Sequence, residues 1–215
     1  MMSTPDIRFH SVVAALYDPV QHYFERFQAP AHRRYLANGV DGTVLEIGVG
    51  TGAMLPYYEN GAHTGRVIHG VEPDPGMWRR TREKIARSEL AMELLSGRVE
   101  ALPYQNDTFD YVIESGLLCS VPSIDMALDE IQRVLAPDGE FRFFDHVRSA
   151  GLVGRSQDVL TPLWRRIGGN CHLNRQVQPI LEARSDFRLE ALEHHPVGYW
   201  PIRTFVRGIA VPGDE

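Results

Sequence analysis

Short apolar runs alternate with longer segments of helical spacing between residues 43 and 148. The apolar, β-rich runs read TVLEI, RVIHGVE, MELLSG, FDYVIE and EFRFFDHV. Between them, GAMLPYYENG, PGMWRRTREKIARSE and SIDMALDEIQRVL have the spacing or the length of helices. This alternation predicts a parallel β-sheet that is covered by helices on both faces.

The two ends of the chain follow other patterns. Residues 9–36 predict helices rich in aromatic side chains, and a helical stretch after Arg148 runs to a glycine break at Gly168 and Gly169. Two further strands are predicted near residues 187–195 and 202–211. We predict one domain over residues 1–215, with residues 1–36 as an N-terminal helical cap.

Composition narrows the class of protein. The chain has 215 residues, of which 43% are hydrophobic and 23% charged, as in ordinary globular proteins. Its net charge of −6 argues against a nucleic-acid partner. No apolar run approaches the ~20 residues of an integral membrane segment, and MMSTPDIRFH lacks the apolar core of a secretory signal. Two cysteines make no disulfide framework, so a cytoplasmic location is expected.

The sequence VLEIGVGTG, residues 44–52, carries the first candidate chemistry. Gly48, Gly50 and Gly52 let the backbone turn sharply and approach a ligand without Cβ atoms in the way. A helix expected to start near Thr51 and Gly52 points free N–H groups at that ligand. By itself the turn is compatible with several nucleotides, including a dinucleotide, or with no ligand.

Two acids narrow these alternatives. Glu46 lies inside the first strand, where a carboxylate is costly unless a cation or a hydrogen-bond donor meets it. Glu72 ends the second strand, where an acid can accept both hydroxyls of a ribose. A ligand with a ribose and an ammonium group but no pyrophosphate suits this set, and S-adenosyl-L-methionine is such a ligand.

RVEALPYQNDTFDYVIESGLLCSV, followed by DEIQRVLAPDGEFRFFDHV, resembles the class I S-adenosylmethionine-dependent methyltransferases with a type 11 domain. The resemblance implies an α/β fold: a Rossmann-like seven-stranded sheet, mostly parallel with the last strand antiparallel, and helices on both faces. It implies that the glycine turn holds the methionine end of the cofactor and that Glu72 holds the ribose. The remaining cofactor-binding positions that we predict are Tyr17, Glu46, Pro73, Met77, Val99, Glu100 and Ser115.

One position departs from that family. Many relatives have an acid where this chain has Arg98, and they use it to bind the adenine amino group. A guanidinium and an amino group are both donors, so Val99 or Glu100 is expected to bind adenine instead.

Four segments resemble the methyltransferase-like-seven group of alkyl thiol methyltransferases: LLCSV, DHV, LTPLWRRIGGNCHLNR and the C-terminal EHHPVGYWPIRTFVRGIAV. The resemblance implies S-methylation of a small alkyl thiol and makes residues 149–175 an insertion on the substrate side. A phospholipid amine and a quinone-type ring carbon are the alternative acceptors.

The residues predicted near the methyl acceptor each have more than one possible role. His146, with Asp145, is predicted to assist deprotonation of the acceptor, or His146 closes a strand by local hydrogen bonding. Cys119 is either packed or part of the acceptor site. Asn170, Cys171 and His172 are expected to form a pocket wall, with purely structural and directly chemical roles as alternatives. Tyr17 either closes over the cofactor or packs in the core.

No metal site is predicted, since the nine histidines are scattered along the chain. Two classes compete with the methyltransferase interpretation. A nicotinamide oxidoreductase shares the glycine turn but leaves the ALPYQNDTFD block unexplained, and a non-catalytic module would bind the cofactor without turnover. The sequence does not determine the oligomeric state.

Overall fold

The computed structural model describes residues 24, 26–59, 68–198 and 200–213. Tyr17 and most of the predicted N-terminal cap lie outside the described residues. The helices are α1 (Ala29–Ala37), α2 (Leu55–Glu59), α3 (Pro75–Ile85), α4 (Ile124–Val134), α5 (Gly151–Ile167) and α6 (Val177–Glu182). The strands are β1 (Val44–Ile47), β2 (Ile68–Val71), β3 (Met92–Leu95), β4 (Phe109–Ser115), β5 (Leu135–Val147), β6 (Phe187–His195) and β7 (Thr204–Pro212). No described helix is both long and apolar enough to cross a membrane.

The seven strands form one sheet in the order β3-β2-β1-β4-β5-β7-β6. The five strands from β3 to β5 are parallel, whereas β7 runs antiparallel between β5 and β6. This confirms the predicted fold class, including the antiparallel last strand.

Burial explains why the strands lie where they do. All four residues of β1 are buried, as expected for a central parallel strand with helices on both sides. Alternate β1 residues face the two main apolar clusters: Leu45 and Ile47 join one, and Val44 joins the other. The sheet therefore separates two core layers, and its strand ends hold the polar residues considered below.

Two local predictions need correction. The helix after the glycine turn begins at Leu55 rather than near residue 51, because Gly50 and Gly52 have φ of +60° and +76°, which a right-handed helix excludes. The sequence APDG after α4 predicts a turn that ends the helix, but it lies inside β5 as a bulge. Phe109 pairs with Leu135 but Tyr111 pairs with Glu140, so the intervening turn residues loop out of register.

Candidate active site

The strand order reverses between β1 and β4, which creates a crevice at the carboxyl ends of the parallel strands. Ligands of open α/β sheets bind at such a switch point. Gly48 follows β1, Glu72 follows β2, Ser115 ends β4, and Asp145 lies near the end of β5. The structure thus gathers these four residues at one edge of the sheet.

The glycine turn has a left-handed backbone at all three glycines. Gly48, Gly50 and Gly52 have φ of +66°, +60° and +76°. A Cβ on Gly48 would lie 2.7 Å from Leu117 Cδ1, whereas one on Gly50 would meet nothing closer than the Gly48 carbonyl oxygen at 3.8 Å. The turn therefore packs tightly at Gly48 and leaves open space at Gly50.

Glu72 holds this turn in place. One carboxylate oxygen accepts a hydrogen bond from the Gly50 N–H at 2.8 Å, and the other accepts one from the Asp74 N–H at 2.7 Å. Burial raises the pKa of Glu72 to about 7, against the opposing effect of these two N–H donors. Each oxygen keeps a further lone pair that can accept a hydroxyl.

Glu46 is a buried carboxyl inside β1. The Tyr58 hydroxyl and the Arg33 charge favour its ionised form, but burial dominates and raises the pKa of Glu46 to about 8. Its Oε2 atom is buried without a hydrogen-bond donor among the described residues. The carboxyl therefore still has an oxygen for a ligand donor.

The other predicted cofactor residues take up several environments. Asp74 caps α3 by accepting hydrogen bonds from the N–H groups of Gly76 and Met77, which orients the half-buried Met77 at the start of that helix. Val99 is buried in the core, and Pro73 is exposed. Glu100 carries a buried oxygen, Oε1, without a donor among the described residues, and its Oε2 lies 3.5 Å from Arg98 Nε. Arg98 thus forms an ion pair with the neighbouring acid.

These features fit S-adenosylmethionine. The space at Gly50 is a cradle that a Cβ would fill. Glu46 Oε2 can meet an ammonium group, and the remaining lone pairs of the Glu72 oxygens can accept hydroxyls. When bound, the cofactor supplies a methyl group on a sulfonium sulfur. We call the turn with Glu46 and Glu72 the donor side of the site.

The loop between α5 and α6 is tied to the loop between β4 and α4. Asn170 Nδ2 donates to the Ser120 carbonyl oxygen at 2.6 Å, and the His172 N–H donates to that of Cys119 at 2.8 Å. Arg175 Nη1 donates to the carbonyl oxygens of Leu118 and Val121 at 2.6 and 2.7 Å. Asn170 has a φ of +68°, a conformation that asparagine tolerates. We call residues 116–121, 145–146 and 168–175 the acceptor side.

Three side chains from the acceptor side converge. The ligand-capable atoms of Cys119, His146 and Cys171 all lie within 4.8 Å of one another, and all three residues are buried. Both cysteines are free thiols. Sequence analysis placed the three residues in one region but did not foresee this cluster, which has the composition of a metal site.

A hydrogen-bond network fixes the tautomer of His146. Gln157 Oε1 accepts the Ser149 N–H at 2.7 Å and Gln157 Nε2 donates to the Pro201 carbonyl oxygen at 2.8 Å, so the amide has only one possible orientation. Its second N–H faces His146 Nε2 at 3.3 Å. Nε2 is therefore the acceptor, and the proton of the neutral ring lies on Nδ1.

This tautomer does not fit a metal ligand. A metal-bound imidazole carries a proton on its other nitrogen and donates it to an acceptor. Here Gln157 presents a donor to Nε2. The Gln157 N–H therefore disfavours a metal bound through His146 Nδ1, because the proton then required on Nε2 would face another donor.

Two fully buried carboxyls brace the acceptor side. Asp145 Oδ2 accepts the Cys119 N–H at 2.9 Å, and Glu114 Oε2 accepts the Leu117 N–H at 2.8 Å. Burial raises the pKa of Asp145 to about 6 and that of Glu114 well above its usual range. His172, close to Arg175, has a pKa lowered to about 4, mainly by burial.

Sequence reasoning missed Glu114, Gln157, Trp164 and Arg175. Glu114 and Arg175 lie inside motifs that the sequence analysis used. The position of Glu114 at the end of a strand, and of Arg175 at the end of a loop, could have indicated them. Gln157 is fully buried on α5, but a single glutamine in an amphipathic helix gives no signal of its partners. Its role depends on backbone groups at Ser149 and Pro201.

The comparisons with known proteins agree with this geometry. Residues 45–143 match the family model described as a methyltransferase domain. The thiol S-methyltransferase TMT1B of Rattus norvegicus is 32% identical over 178 residues, which cover 79% of this chain and 70% of the relative. A phosphatidylethanolamine N-methyltransferase of Cereibacter sphaeroides is 29% identical over 198 residues, which cover 90% of this chain and 92% of the relative.

A solved structure supports the fold independently. A Thermotoga maritima protein, described as an S-adenosylmethionine-dependent methyltransferase and possible histamine N-methyltransferase, superposes with a TM-score of 0.65 at 19% identity. The match covers 94% of this chain and 99% of that one. The chain therefore belongs to the class I S-adenosylmethionine-dependent methyltransferases, in the family that includes the thiol S-methyltransferases, and it is a small-molecule methyltransferase.

Proposed function

We propose that the protein S-methylates a small, fairly apolar thiol. The observation that carries the proposal is the 32% identity to a thiol S-methyltransferase over 79% of this chain. In this proposal residues 1–215 act as one domain, the glycine turn holds the cofactor, and residues 149–175, together with the cap over residues 1–36, enclose the acceptor. The site residues of the donor side are Glu46, Gly48, Gly50, Gly52 and Glu72.

A thiol acceptor agrees with the chemistry available at the acceptor side. Methyl transfer from a sulfonium is an in-line displacement, and holding the reactants in line supplies about 7–11 kcal/mol of barrier reduction. A free thiol with a pKa of ~8.5 is only slightly ionised at neutral pH, so the site must favour the thiolate. Cys119, His146 and Cys171 are the groups that we assign to this task, and Asn170 and His172 to the pocket wall.

A second acceptor class has specific support. The phosphatidylethanolamine N-methyltransferase covers more of both chains than the thiol S-methyltransferase does, although at 29% rather than 32% identity. A primary amine of a phospholipid is therefore the second candidate.

The proposal can be tested with acceptors that have the same alkyl chain but a different nucleophilic group. Purified protein would be incubated with methyl-labelled S-adenosylmethionine and an alkyl thiol, or with the amine or alcohol of the same chain length, or with phosphatidylethanolamine vesicles. We expect label transfer to the thiol only. Methylation of the amine or the vesicle lipid without thiol turnover would refute the thiol assignment and leave the methyltransferase assignment intact.

The donor side supplies the control variant. Glu72→Ala should weaken cofactor binding in calorimetric titrations by about 1–3 kcal/mol, because two ribose hydroxyls lose their acceptor. Thiol turnover at subsaturating cofactor should fall in parallel. Unchanged binding by this variant would place the cofactor elsewhere.

A further inference from the structure

The cluster of Cys119, His146 and Cys171 holds two thiols in unequal environments. The Cys171 sulfur interacts with the Cys119 thiol, with the His146 ring and with the indole N–H of Trp164. Neither His146 Nδ1 nor Trp164 Nε1 has a hydrogen-bond acceptor among the described residues, and both atoms are buried. Two buried N–H groups without an acceptor thus lie close to the Cys171 sulfur, which they could reach as a thiolate.

The tautomer of His146 decides how its ring acts. Because Gln157 engages the lone pair of Nε2, the neutral ring offers only the Nδ1 hydrogen to its neighbours. The ring therefore has no free lone pair with which to take a proton from an acceptor. His146 is placed to donate a hydrogen bond to Cys171, which differs from the base role expected from sequence.

We propose that Cys171 is a resident thiolate that serves as the general base for the acceptor thiol, with His146 as its positioning residue. This inference rests on the proposed function, since it names the group that ionises the acceptor. Cys119 is the thiol that keeps its proton, and its sulfur lies 3.8 Å from the Gly116 carbonyl oxygen, which can accept that proton in a hydrogen bond.

Charge at the cluster agrees with this assignment. The neighbouring Cys119 thiol lowers the pKa of Cys171 to about 5, with His146 and Trp164 acting in the same direction and burial opposing them. The neighbouring Cys171, together with burial and the Asp145 charge, raises the pKa of Cys119 well above its usual range. Arg175 lies close enough to interact with both sulfurs and with Asp145, so it is the balancing cation.

The proposed step conserves charge and atoms. The proton of the acceptor S–H passes to Cys171 Sγ, and the negative charge moves to the acceptor sulfur. That sulfur forms a bond to the methyl carbon while the sulfonium C–S bond breaks, leaving its electron pair on the departing sulfur. Cys171 then releases the proton to water, so the overall products are a methyl thioether, the demethylated cofactor and one proton.

Ultraviolet absorbance tests the thiolate without cofactor or acceptor. The reduced full-length protein would be titrated between pH 4 and 10 while its absorbance is followed at about 240 nm, where thiolates absorb. We expect one thiolate equivalent at pH 7 that disappears in Cys171→Ser and persists in Cys119→Ser. Absence of the signal below pH 8, its loss in Cys119→Ser alone, or a stoichiometric bound metal ion in the parent would overturn the assignment.

Two substitutions separate positioning by His146 from mere packing. His146→Asn keeps an N–H donor near the position of Nδ1, whereas His146→Leu keeps volume without a donor. We expect the thiolate titration to stay near its parent position in His146→Asn and to move up by at least about one pH unit in His146→Leu. Equal titrations in the two variants would remove His146 from the proposal.

Thiol turnover then tests the base. We expect kcat/KM of the parent to be nearly constant between pH 6 and 8. In Cys171→Ser it should be lower by about 10²-fold at pH 7, the lower range for general-base catalysis, and rise with the ionisation of the acceptor itself. Cofactor affinity should be unchanged. Equal pH profiles would refute the base while leaving the proposed function standing, whereas a parent that methylates no thiol refutes both.

Discussion

The donor side and the acceptor side of the site are built from the chain in different ways. The contacts that shape the donor side span short distances in sequence: Gly50 N–H to Glu72 spans 22 residues, and the Thr81 hydroxyl to the Gly50 carbonyl spans 31. On the acceptor side, the contacts that join the two loops span more of the chain: Asn170 to Ser120 spans 50 residues, and Arg175 to Leu118 spans 57. A contiguous motif can encode the first kind of site, whereas the second requires the finished fold.

The two sides also differ in the charged groups that lie in them. On the donor side, Glu46 keeps one oxygen without a described donor. On the acceptor side, the Arg175 guanidinium and the buried Asp145 lie beside the two sulfurs. We infer that the donor side is prepared for an incoming cation and the acceptor side for an anion that forms during reaction.

The largest expected effect comes from breaking the donor side at Gly48. In Gly48→Val the new side chain collides with Leu117 and is strained by the positive φ, so we expect cofactor binding to fall by about 100-fold or more. Gly39→Val is the matched control, since Gly39 has a φ of +65° but nothing within 4 Å of its added Cβ. Calorimetric titration should find near-normal binding in the control. Equal losses would mean that backbone strain, rather than the turn, sets affinity.

A change at Arg175 should separate the two sides. Arg175→Met keeps an unbranched apolar stem but removes both hydrogen bonds to the loop after β4, which should cost about 2–3 kcal/mol of unfolding free energy. Thiol turnover should fall while cofactor affinity stays within about two-fold. Arg188→Met, in an exposed ion pair with Glu190, should cost less than about 1 kcal/mol in the same urea unfolding experiment. A matching loss of cofactor binding in Arg175→Met would show that the sides are coupled.

The effect that is most distinctive in sign is expected at Glu46. Burial raises the pKa of Glu46 to about 8, so the folded protein holds a proton that the unfolded chain releases near its ordinary value. The resulting stability is fully present at low pH and is lost as pH rises through about 8. Glu46→Gln, which cannot ionise, should therefore gain stability over the parent between pH 5 and 9. Urea unfolding at both pH values measures this.

Glu130→Gln should change stability with pH in the opposite direction. Hydrogen bonding to Arg133 lowers the pKa of Glu130, so its contribution is present above the ordinary carboxyl pKa and lost as pH falls through the lowered value. This variant should be less stable than the parent at neutral pH and approach it in acid. Parallel pH dependences for the two variants would contradict the burial argument at Glu46.

The sequence by itself determined the sheet, its parallel core and the glycine turn. These follow from hydrophobic periodicity and from backbone conformations open to glycine, which are properties of neighbouring residues. The antiparallel last strand was implied by the family resemblance, and the structure confirms it. It also identified the segments that hold Cys119, His146 and Cys171. It placed the helix after the turn too early, because the positive φ values at Gly50 and Gly52 are set by the packing of that turn.

Only the tertiary structure decided what the acceptor residues do to one another. The proton on His146 is placed by Gln157, whose own orientation is fixed by a backbone N–H at Ser149 and a carbonyl at Pro201. No sequence pattern links these positions, which lie 8 and 44 residues from Gln157. Hydrogen-bond complementarity acts between atoms that touch, so the difference between a thiol at Cys119 and a thiolate at Cys171 exists only once the chain has brought them together.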